Sequence, residues 1–420
     1  MESLGVASGS GSEAGSGRRM IVRVILRSLL SVALVGTCAT AGEIPSSYFT
    51  MTTHDAVKGK QWPTVPIGSI RLWDTFTLWS DLNPSPGVYN WTMLDKWLSL
   101  ARAHNVDVLY TFGGTPAWAS SNPKATCDYN PGACYPPSDL QSWDDYVRAI
   151  AIHAAGRIKY WELWNEANQS EYWSGDFTTL VTMAHHAYRI IKSIDHQAMI
   201  LTPSAVGGAA AASNWLGQYL AAGGGAYCDG IAFHGYGNSR PSVAEEVGRI
   251  VDAMQGVMSA YGQSAKPLWD TEASWGPAEH LPNEEEQVSF VARHYILQWS
   301  KGVQRSYWYA WDDTRYGTLW DKNRGLRKPG IAYREVYRWL AGATMTLPCA
   351  MASDSTWTCG LTRPGGYEAL LVWNPSSTKW YKPAARFEQY LTLVGETFAI
   401  KGPIPIGSQP ILLQRKGSLD

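Results

Sequence analysis

Three glutamates stand where a carboxylate pair could do chemistry. Glu162 and Glu166 lie in YWELWNEAN, residues 160–168, and Glu272 lies in WDTEAS, residues 269–274. Carboxylates are rarely placed among apolar side chains unless they are paired or used. Glycosidic cleavage needs one carboxyl group to protonate the leaving oxygen and a second to attack or to activate water. The sequence therefore predicts such a pair, provided that the fold brings two of the three together.

Eight strand-like runs alternate with amphipathic helical stretches along most of the chain. This alternation predicts right-handed βαβ units and an α/β fold, the (β/α)8 TIM barrel. A doubly wound open sheet is the rival, but no G-x-G-x-x-G turn follows an early strand. The predicted strands cover residues 47–53, 68–74, 106–114, 158–166, 198–206, 229–237, 266–274 and 305–313.

The barrel separates the two glutamates of the first segment. Because side chains alternate along a strand, Glu162, Trp164 and Glu166 are expected to point into the lumen and Asn165 away from it. Glu166 would lie at the C-terminal rim, where barrel enzymes build their sites. Glu162 would lie two layers deeper with a structural role, and Arg71 of strand 2 is its candidate partner.

The partner of Glu166 is expected three βα units downstream, at Glu272. Strands 4 and 7 face each other across an eight-stranded ring, so their rim carboxylates can approach to the ~5 Å of a retaining pair. Asp270 is the competitor; we expect it to point the same way, one layer deeper.

Several segments together resemble the clan A retaining glycoside hydrolases, and within that clan glycoside hydrolase family 39 and related secreted exopolysaccharide endoglycosidases. The resemblance covers roughly residues 45–345. It is carried by WNEAN, WDTEAS, FHGYG, SYWYAWDD, LNPSPGVYNWTMLD and TFGGTPAWAS. It implies that Glu166 is the acid/base, that Asn165 binds the sugar 2-hydroxyl, and that Glu272 is the nucleophile.

The same resemblance assigns three further cleft residues. Tyr236 matches the tyrosine that hydrogen-bonds the nucleophile, and a donating hydroxyl would lower the nucleophile's pKa. His234 matches its neighbour in the cleft. Trp308 matches the tryptophan that floors the −1 subsite.

Residue type and position add weaker candidates. Trp118 and Trp311 are candidates either for stacking on sugar rings or for the core, and Asn168, just past Glu166, for a substrate contact. His54, just past the first strand, is a further candidate.

Composition excludes some classes of partner. The net charge of −1 provides no basic field for nucleic acid or a membrane surface. The 21 tryptophans suit both a core and a groove that stacks sugars. No C-x-x-C zinc motif occurs, so we expect no metal. We also expect no cofactor and an oligo- or polysaccharide partner. The oligomeric state is left open.

The first 41 residues are typical of export. A Gly/Ser-rich extension precedes RRMIVRVILRSLLSVALVGTCATA, which has a basic start, an apolar stretch and a small-x-small site, so we expect cleavage after Ala41. A membrane anchor is disfavoured because the apolar stretch is short for a span of ~20 residues. The mature chain would be secreted or periplasmic.

Cysteine usage agrees with an oxidising compartment. Two close pairs, Cys127 with Cys134 and Cys349 with Cys359, are predicted disulfides, and Cys228 a buried free thiol.

The predicted organisation is a signal region at 1–41, a catalytic barrel at 42–345, and a small β-sandwich-like accessory domain at 346–420. The accessory domain either supports the barrel or binds carbohydrate.

The resulting hypothesis is a secreted, cofactor-independent retaining glycoside hydrolase that is endo-acting on a polysaccharide. An exo-acting, xylosidase-like β-glycosidase and a catalytically silent carbohydrate-binding protein are the alternatives, and a transglycosylase would share the same site.

Overall fold

A computed structural model of the chain describes residues 42–416 and the single positions 9 and 419. Apart from Gly9, the predicted extension and signal peptide at 1–41 lie outside the described residues. Residues 42–416 belong to one compact unit.

Eight parallel strands form a nearly closed barrel, which confirms the predicted fold. The strands pair in the order β5-β4-β3-β2-β1-β8-β7-β6, and a parallel bridge between Leu201 and Gly230 joins the two ends. Each of the first seven strands lies inside its predicted run but is shorter, whereas β8 begins two residues before its predicted run of 305–313 and ends within it. The strands are β1 Phe49–Met51, β2 Ser69–Leu72, β3 Asp107–Thr111, β4 Tyr160–Glu162, β5 Met199–Leu201, β6 Ile231–His234, β7 Leu268–Ala273 and β8 Val303–Trp308.

Helices surround the barrel, and their apolar stripes face the strands. In α4, for example, Leu180, Ala184, Ala187 and Ile191 are buried, and the Asp176 carboxylate accepts a hydrogen bond from the Thr179 N–H at 2.7 Å to cap its first turn. The helices are α1 Trp79–Leu82, α2 Thr92–Ala103, α3 Leu140–His153, α4 Phe177–Ile194, α5 Gly208–Ala221, α6 Glu246–Ala260, α7 Glu284–Ser300 and α8 Lys328–Leu340.

The lumen of the barrel is filled in layers, as side-chain alternation requires. The lower layer is an apolar cluster of Leu109, Leu201, Ala232, Trp269 and Tyr307. It supports a polar layer above it, which in turn supports the C-terminal rim. The barrel is therefore a packed scaffold that opens only at its upper end.

In two strands the alternation of side chains between the lumen and the exterior breaks just below the rim. β4 ends at Glu162, and beyond it Trp164 packs outward on Trp143 and Trp173. Trp164 was expected in the lumen and Asn165 outside it; this prediction was wrong because the strand alternation stops at Glu162.

The second change of phase lies in β7. The pairing with β8 is irregular between Asp270 and Ala273, and the pairing with β6 is irregular beside Glu272. As a result Asp270 faces α7, where Gln298 donates to it at 2.6 Å, while Glu272 enters the active site. Asp270 therefore does not point the same way as Glu272, contrary to expectation.

The C-terminal part of the chain is β-rich and sandwich-like, as predicted. A six-stranded sheet has the order β11-β12-β13-β18-β15-β16, and a two-stranded sheet pairs β14 with β17. β11 begins at Thr344, close to the predicted boundary at 346, which stays a prediction. The strands are β11 Thr344–Met351, β12 Trp357–Arg363, β13 Tyr367–Trp373, β14 Lys379–Tyr381, β15 Gln389–Leu391, β16 Thr397–Ala399, β17 Ile404–Ile406 and β18 Ile411–Gln414, and a small hairpin of β9 Trp320–Asp321 and β10 Gly325–Leu326 follows β8.

The two cysteine pairs lie at bonding distance, as predicted. The sulfur atoms are 2.05 Å apart in Cys127–Cys134 and 2.02 Å apart in Cys349–Cys359, and Cys228 is a buried free thiol. The first pair lies in the β3–α3 loop and the second joins β11 to β12. None of the helices in the described part of the chain has the length and apolarity that a membrane span requires.

Candidate active site

Arg71 of β2 organises the polar layer of the lumen. Its side chain is fully buried, so each of its donors needs an acceptor. Nε donates to Oε2 of Glu162 at 2.9 Å, Nη1 to Oε2 of Glu272 at 2.6 Å, and Nη2 to Oδ1 of Asn165 at 2.7 Å. One guanidinium thus joins residues from strands 2, 4 and 7 in a fixed geometry.

Glu162 is the structural carboxylate of the layer. Besides Arg71, the hydroxyls of Thr111 and Thr271 each donate to it at 2.6 Å. Burial alone would raise the pKa of Glu162, but Arg71 and these donors hold it below its usual range. The carboxylate is therefore ionised and fully satisfied, and the predicted pairing with Arg71 is present.

Glu166 lies above this layer, beyond the end of β4. Its φ of 41° falls in the left-handed region, which few non-glycine residues adopt. Its N–H donates to Oγ of Ser204 at 3.1 Å, which fixes the turn. Backbone strain of this kind concentrates where a side chain must be aimed.

The environment of Glu166 favours its protonated form. Burial is the largest cause and raises its pKa to about 7; Glu162 adds to the rise and Arg71 opposes it. At neutral pH the carboxyl group is therefore poised to give or take a proton.

Glu272 is held by donors on both oxygens. In addition to the Arg71 contact on Oε2, the hydroxyl of Tyr236 donates to Oε1 at 3.0 Å. Burial raises the pKa of Glu272, while His234 and Arg71 act to lower it. Tyr236 is thus placed as the resemblance implied, although the overall direction of the pKa shift is upward because burial outweighs the lowering by His234 and Arg71.

The two rim glutamates lie close together across the barrel. Single oxygen atoms of Glu166 and Glu272, with a ring nitrogen of His234, all lie within 4.8 Å of one another. Three such atoms could ligate a cation, but the Arg71 guanidinium already supplies a positive charge to Glu272. We therefore interpret the cluster as a pair of catalytic carboxylates.

His234 is fully buried between these groups, and its neighbours fix its tautomer. Its Nε2 lies 3.3 Å from Nη2 of Arg71, which can only donate, so Nε2 is the acceptor. Nδ1 therefore carries the hydrogen and donates to Oε1 of Glu166 at 2.7 Å. Burial lowers the pKa of His234 to about 4, so the ring is neutral at pH 7.

The rim opens into a cleft of about 830 Å³. Its walls come from the loops after most of the barrel strands, and Glu166, Glu272, Asn165 and Tyr236 all lie on its surface. Trp73, Tyr129, Tyr172 and Trp275 give it an aromatic lining. A cleft with this lining suits the faces of sugar rings.

Trp308 does not form the floor of this cleft. The inward-facing residues are Arg305 and Tyr307 of β8 and Tyr309 just beyond its end. Because side chains alternate along a strand, Trp308 faces outward. Trp308 is fully buried and packs on Phe290 and Tyr295 of α7.

Three other candidate contacts also lie away from the cleft. Trp311 is fully buried and stacks on Trp320. Trp118 lines a separate cavity of about 330 Å³ beside Tyr89. The side chain of Asn168 exchanges hydrogen bonds of 2.8 and 3.0 Å with the backbone of Val206, so it ties two loops together.

Sequence reasoning named His54 as a candidate but missed the charged cluster that it forms at the cleft wall. His54 lies 2.9 Å from Asp74, and Tyr309 donates its hydroxyl to the same carboxylate. Asp312 accepts from the backbone N–H groups of His54 and Asp55, both at 2.9 Å. Asp74 and Tyr309 line the cleft. Tyr309 could have been found from the sequence, because it directly follows Trp308 and a shift of one residue in the register of β8 turns it toward the lumen.

The fold and the paired carboxylates define this protein as a barrel enzyme of the glycoside hydrolase class. The family model described as glycosyl hydrolase catalytic core matches residues 87–333, and the chain belongs to that family.

Several solved structures share this fold. A family 39 glycoside hydrolase from Bacteroides cellulosilyticus WH2 is 18% identical, with a TM-score of 0.67 over 89% of this chain and 81% of that chain. A glucosidase from Croceicoccus marinus is 14% identical, with a TM-score of 0.63 over 89% and 96%. A family 30 subfamily 8 xylanase from Clostridium acetobutylicum is 13% identical, with a TM-score of 0.58 over 87% and 95%.

Proposed function

We propose that the protein is a secreted retaining glycoside hydrolase that cleaves β-glycosidic bonds within a polysaccharide by double displacement. The observation that carries the proposal is the approach of the Glu166 and Glu272 carboxyl oxygens to within 4.8 Å. Retaining enzymes have their carboxyl groups about 5 Å apart, whereas inverting enzymes leave room for a water.

In the first step the Glu272 carboxylate attacks the anomeric carbon and the glycosidic C–O bond breaks. Glu166 gives its proton to the departing oxygen, which a pKa of about 7 suits. In the second step water attacks the glycosyl ester, Glu166 takes up its proton, and the Glu272 carboxylate leaves. Arg71 and Tyr236 stabilise that carboxylate as it re-forms.

Asn165 has a substrate-binding role in this proposal. Its Oδ1 accepts from Arg71, which fixes the amide orientation. Its Nδ2 then remains as a donor at the cleft surface and can bind a sugar 2-hydroxyl.

Endo action is favoured by the shape and lining of the cleft. The cleft is open at the surface and has aromatic residues on several loops, so more than one sugar ring can bind along it. The Cys127–Cys134 disulfide constrains one of these loops and suits an oxidising, extracellular compartment. We propose the same domain limits as the sequence predicts, with the barrel at 42–345 and the accessory domain at 346–420.

The test is turnover of aryl β-glycosides and β-linked polysaccharides by wild type, Glu166→Gln and Glu272→Gln. Glu286→Gln is the matched control, because Glu286 is an exposed glutamate on α7 and does not line the cleft. We expect Glu272→Gln to lose at least about a thousandfold in kcat on every substrate, and Glu286→Gln to stay near wild type.

Near wild-type activity in Glu272→Gln would sink the assignment. Binding of glycans without hydrolysis by the wild-type protein would favour the silent carbohydrate-binding alternative. Release of monosaccharides from chain ends only would favour exo action.

A further inference from the structure

The walls of the cleft carry opposite charges. On one wall, formed by the loops after β3 and β4, Asp128 and Glu171 line the cleft. On the other wall, formed by the loops after β6, β7 and β8, the guanidinium groups of Arg240 and Arg315 line the cleft together with the imidazole of His280. We call this second surface the basic wall.

The three loops of the basic wall are joined by backbone hydrogen bonds. Ser242 N–H donates to the carbonyl of His280 at 3.0 Å, and Ala278 N–H donates to the carbonyl of Arg315 at 2.7 Å. The two arginines and His280 are therefore presented by one connected surface rather than by independent loops.

In the described part of the chain, neither arginine of this wall is hydrogen-bonded to a carboxylate. Arg240 donates from Nη1 to the backbone carbonyls of Gly237 and Ser239, at 3.3 and 2.8 Å, and no carboxylate in the described part of the chain lies within 4 Å of it. Arg315 is 78% exposed, and its ion pair with Asp313 is 3.9 Å long.

The neighbouring carboxylates do not face the cleft. The Asp313 oxygen accepts the backbone N–H groups of Arg315 and Tyr316 at 2.6 and 3.2 Å, so its charge is turned toward its own loop. Neither Asp313 nor Glu279 lines the cleft. A ligand in the cleft therefore meets the cations and not the neighbouring acids.

We propose that the basic wall binds an anionic sugar unit of the substrate and that the group it recognises is a uronic acid carboxylate. This inference rests on the proposed function and names its substrate class. A guanidinium forms paired, charge-assisted hydrogen bonds with a planar carboxylate. The opposite wall repels the same group, so the charge also sets the direction in which the polymer lies across Glu166 and Glu272.

The experiment compares a panel of β-linked uronate-containing polysaccharides with the same polymers after carboxyl reduction, which removes the charge and keeps the linkage. Wild type, Arg240→Ala/Arg315→Ala and the control Arg102→Ala, an exposed α2 arginine, are assayed on each pair. We expect wild type to prefer an acidic member, and the double variant to lose about tenfold in kcat/KM on that member and less than about twofold on its reduced partner. The loss should shrink at high ionic strength.

Absence of a preference for the acidic member of any pair would overturn the proposal, as would an equal loss on acidic and reduced polymers. In either case the enzyme would still hydrolyse the reduced polymers, so the proposed function would survive. Loss of the proposed function would instead appear as hydrolysis that persists in Glu272→Gln.

Discussion

Nδ1 of His234 donates a hydrogen bond to Oε1 of Glu166 at 2.7 Å, while it lies 3.9 Å from the nearer oxygen of Glu272. Because Arg71 fixes the tautomer of the ring, Oε1 of Glu166 is always the acceptor. The acid proton of Glu166 therefore resides on Oε2. In the proposed mechanism His234 is thus a positioning residue for the acid/base.

Replacing His234 with Phe should affect proton donation rather than nucleophilic attack. We expect kcat/KM to fall by about tenfold to a hundredfold for aryl glycosides with poor leaving groups, which need the acid. Dinitrophenyl glycosides, whose leaving group needs no proton, should lose less than about threefold. An equal loss of kcat/KM across all leaving groups would instead indicate that His234 acts on Glu272.

The pH dependence of kcat/KM should have its alkaline limb near pH 7. Burial raises the pKa of Glu166 to about 7, so the acid loses its proton as the pH passes that value and the rate falls about tenfold per unit above it. In Glu166→Gln the limb should vanish for dinitrophenyl glycosides. A limb that persists in this variant would mean that another group titrates.

The buried cluster around His54 should make stability depend on pH. Burial alone would lower the pKa of His54, but Asp74 and Asp312 outweigh it and raise the pKa to about 10. Because the pKa of His54 is higher in the folded protein than in the unfolded chain, protonation of the ring stabilises the folded state, fully so below the unfolded pKa. This stabilisation is lost as the pH rises from about 6.5 to about 10.

Urea unfolding at pH 6, 8 and 10 tests this for wild type and His54→Gln. The difference in free energy of unfolding between them should shrink by about 2 to 4 kcal/mol across that range. A difference that is constant with pH would show that the ring is neutral in the folded protein.

The Cys127–Cys134 disulfide should matter for polymers more than for small substrates. The loop that it closes presents Asp128 and Tyr129 to the cleft. The variant Cys127→Ser/Cys134→Ser should raise KM for polysaccharides several-fold and leave KM for aryl glycosides within about twofold, while unfolding free energy falls by about 2 to 3 kcal/mol.

Cys349→Ser/Cys359→Ser is the matched control, since that bond joins β11 to β12 away from the cleft. It should lower stability without a change in either KM. Equal changes in both KM values on loss of the first bond would contradict a role in holding the polymer.

Strand periodicity was sufficient to predict the barrel, the opposition of strands 4 and 7, and the pairing of Glu162 with Arg71. The alternation rule failed where strands end or bulge: beyond Glu162, Trp164 turns outward, and the irregular pairing of β7 sends Asp270 to α7. Such breaks in phase depend on tertiary packing and leave no local signal.

The tryptophans show the same limit. Trp308 and its neighbour Tyr309 are both aromatic, and only the register of β8 decides which one faces the lumen. The basic wall escaped prediction because its residues lie on three separate loops, and loop contacts cannot be deduced from local sequence.

The central claim is double displacement through Glu272, and the anomeric configuration of the first product tests it most directly. Proton NMR of the reaction in its first minutes, on a β-linked substrate, should show the β-anomer before mutarotation produces the α-anomer. Initial appearance of the α-anomer would mean inversion by a single displacement, and would contradict the assignment of Glu272 as the nucleophile.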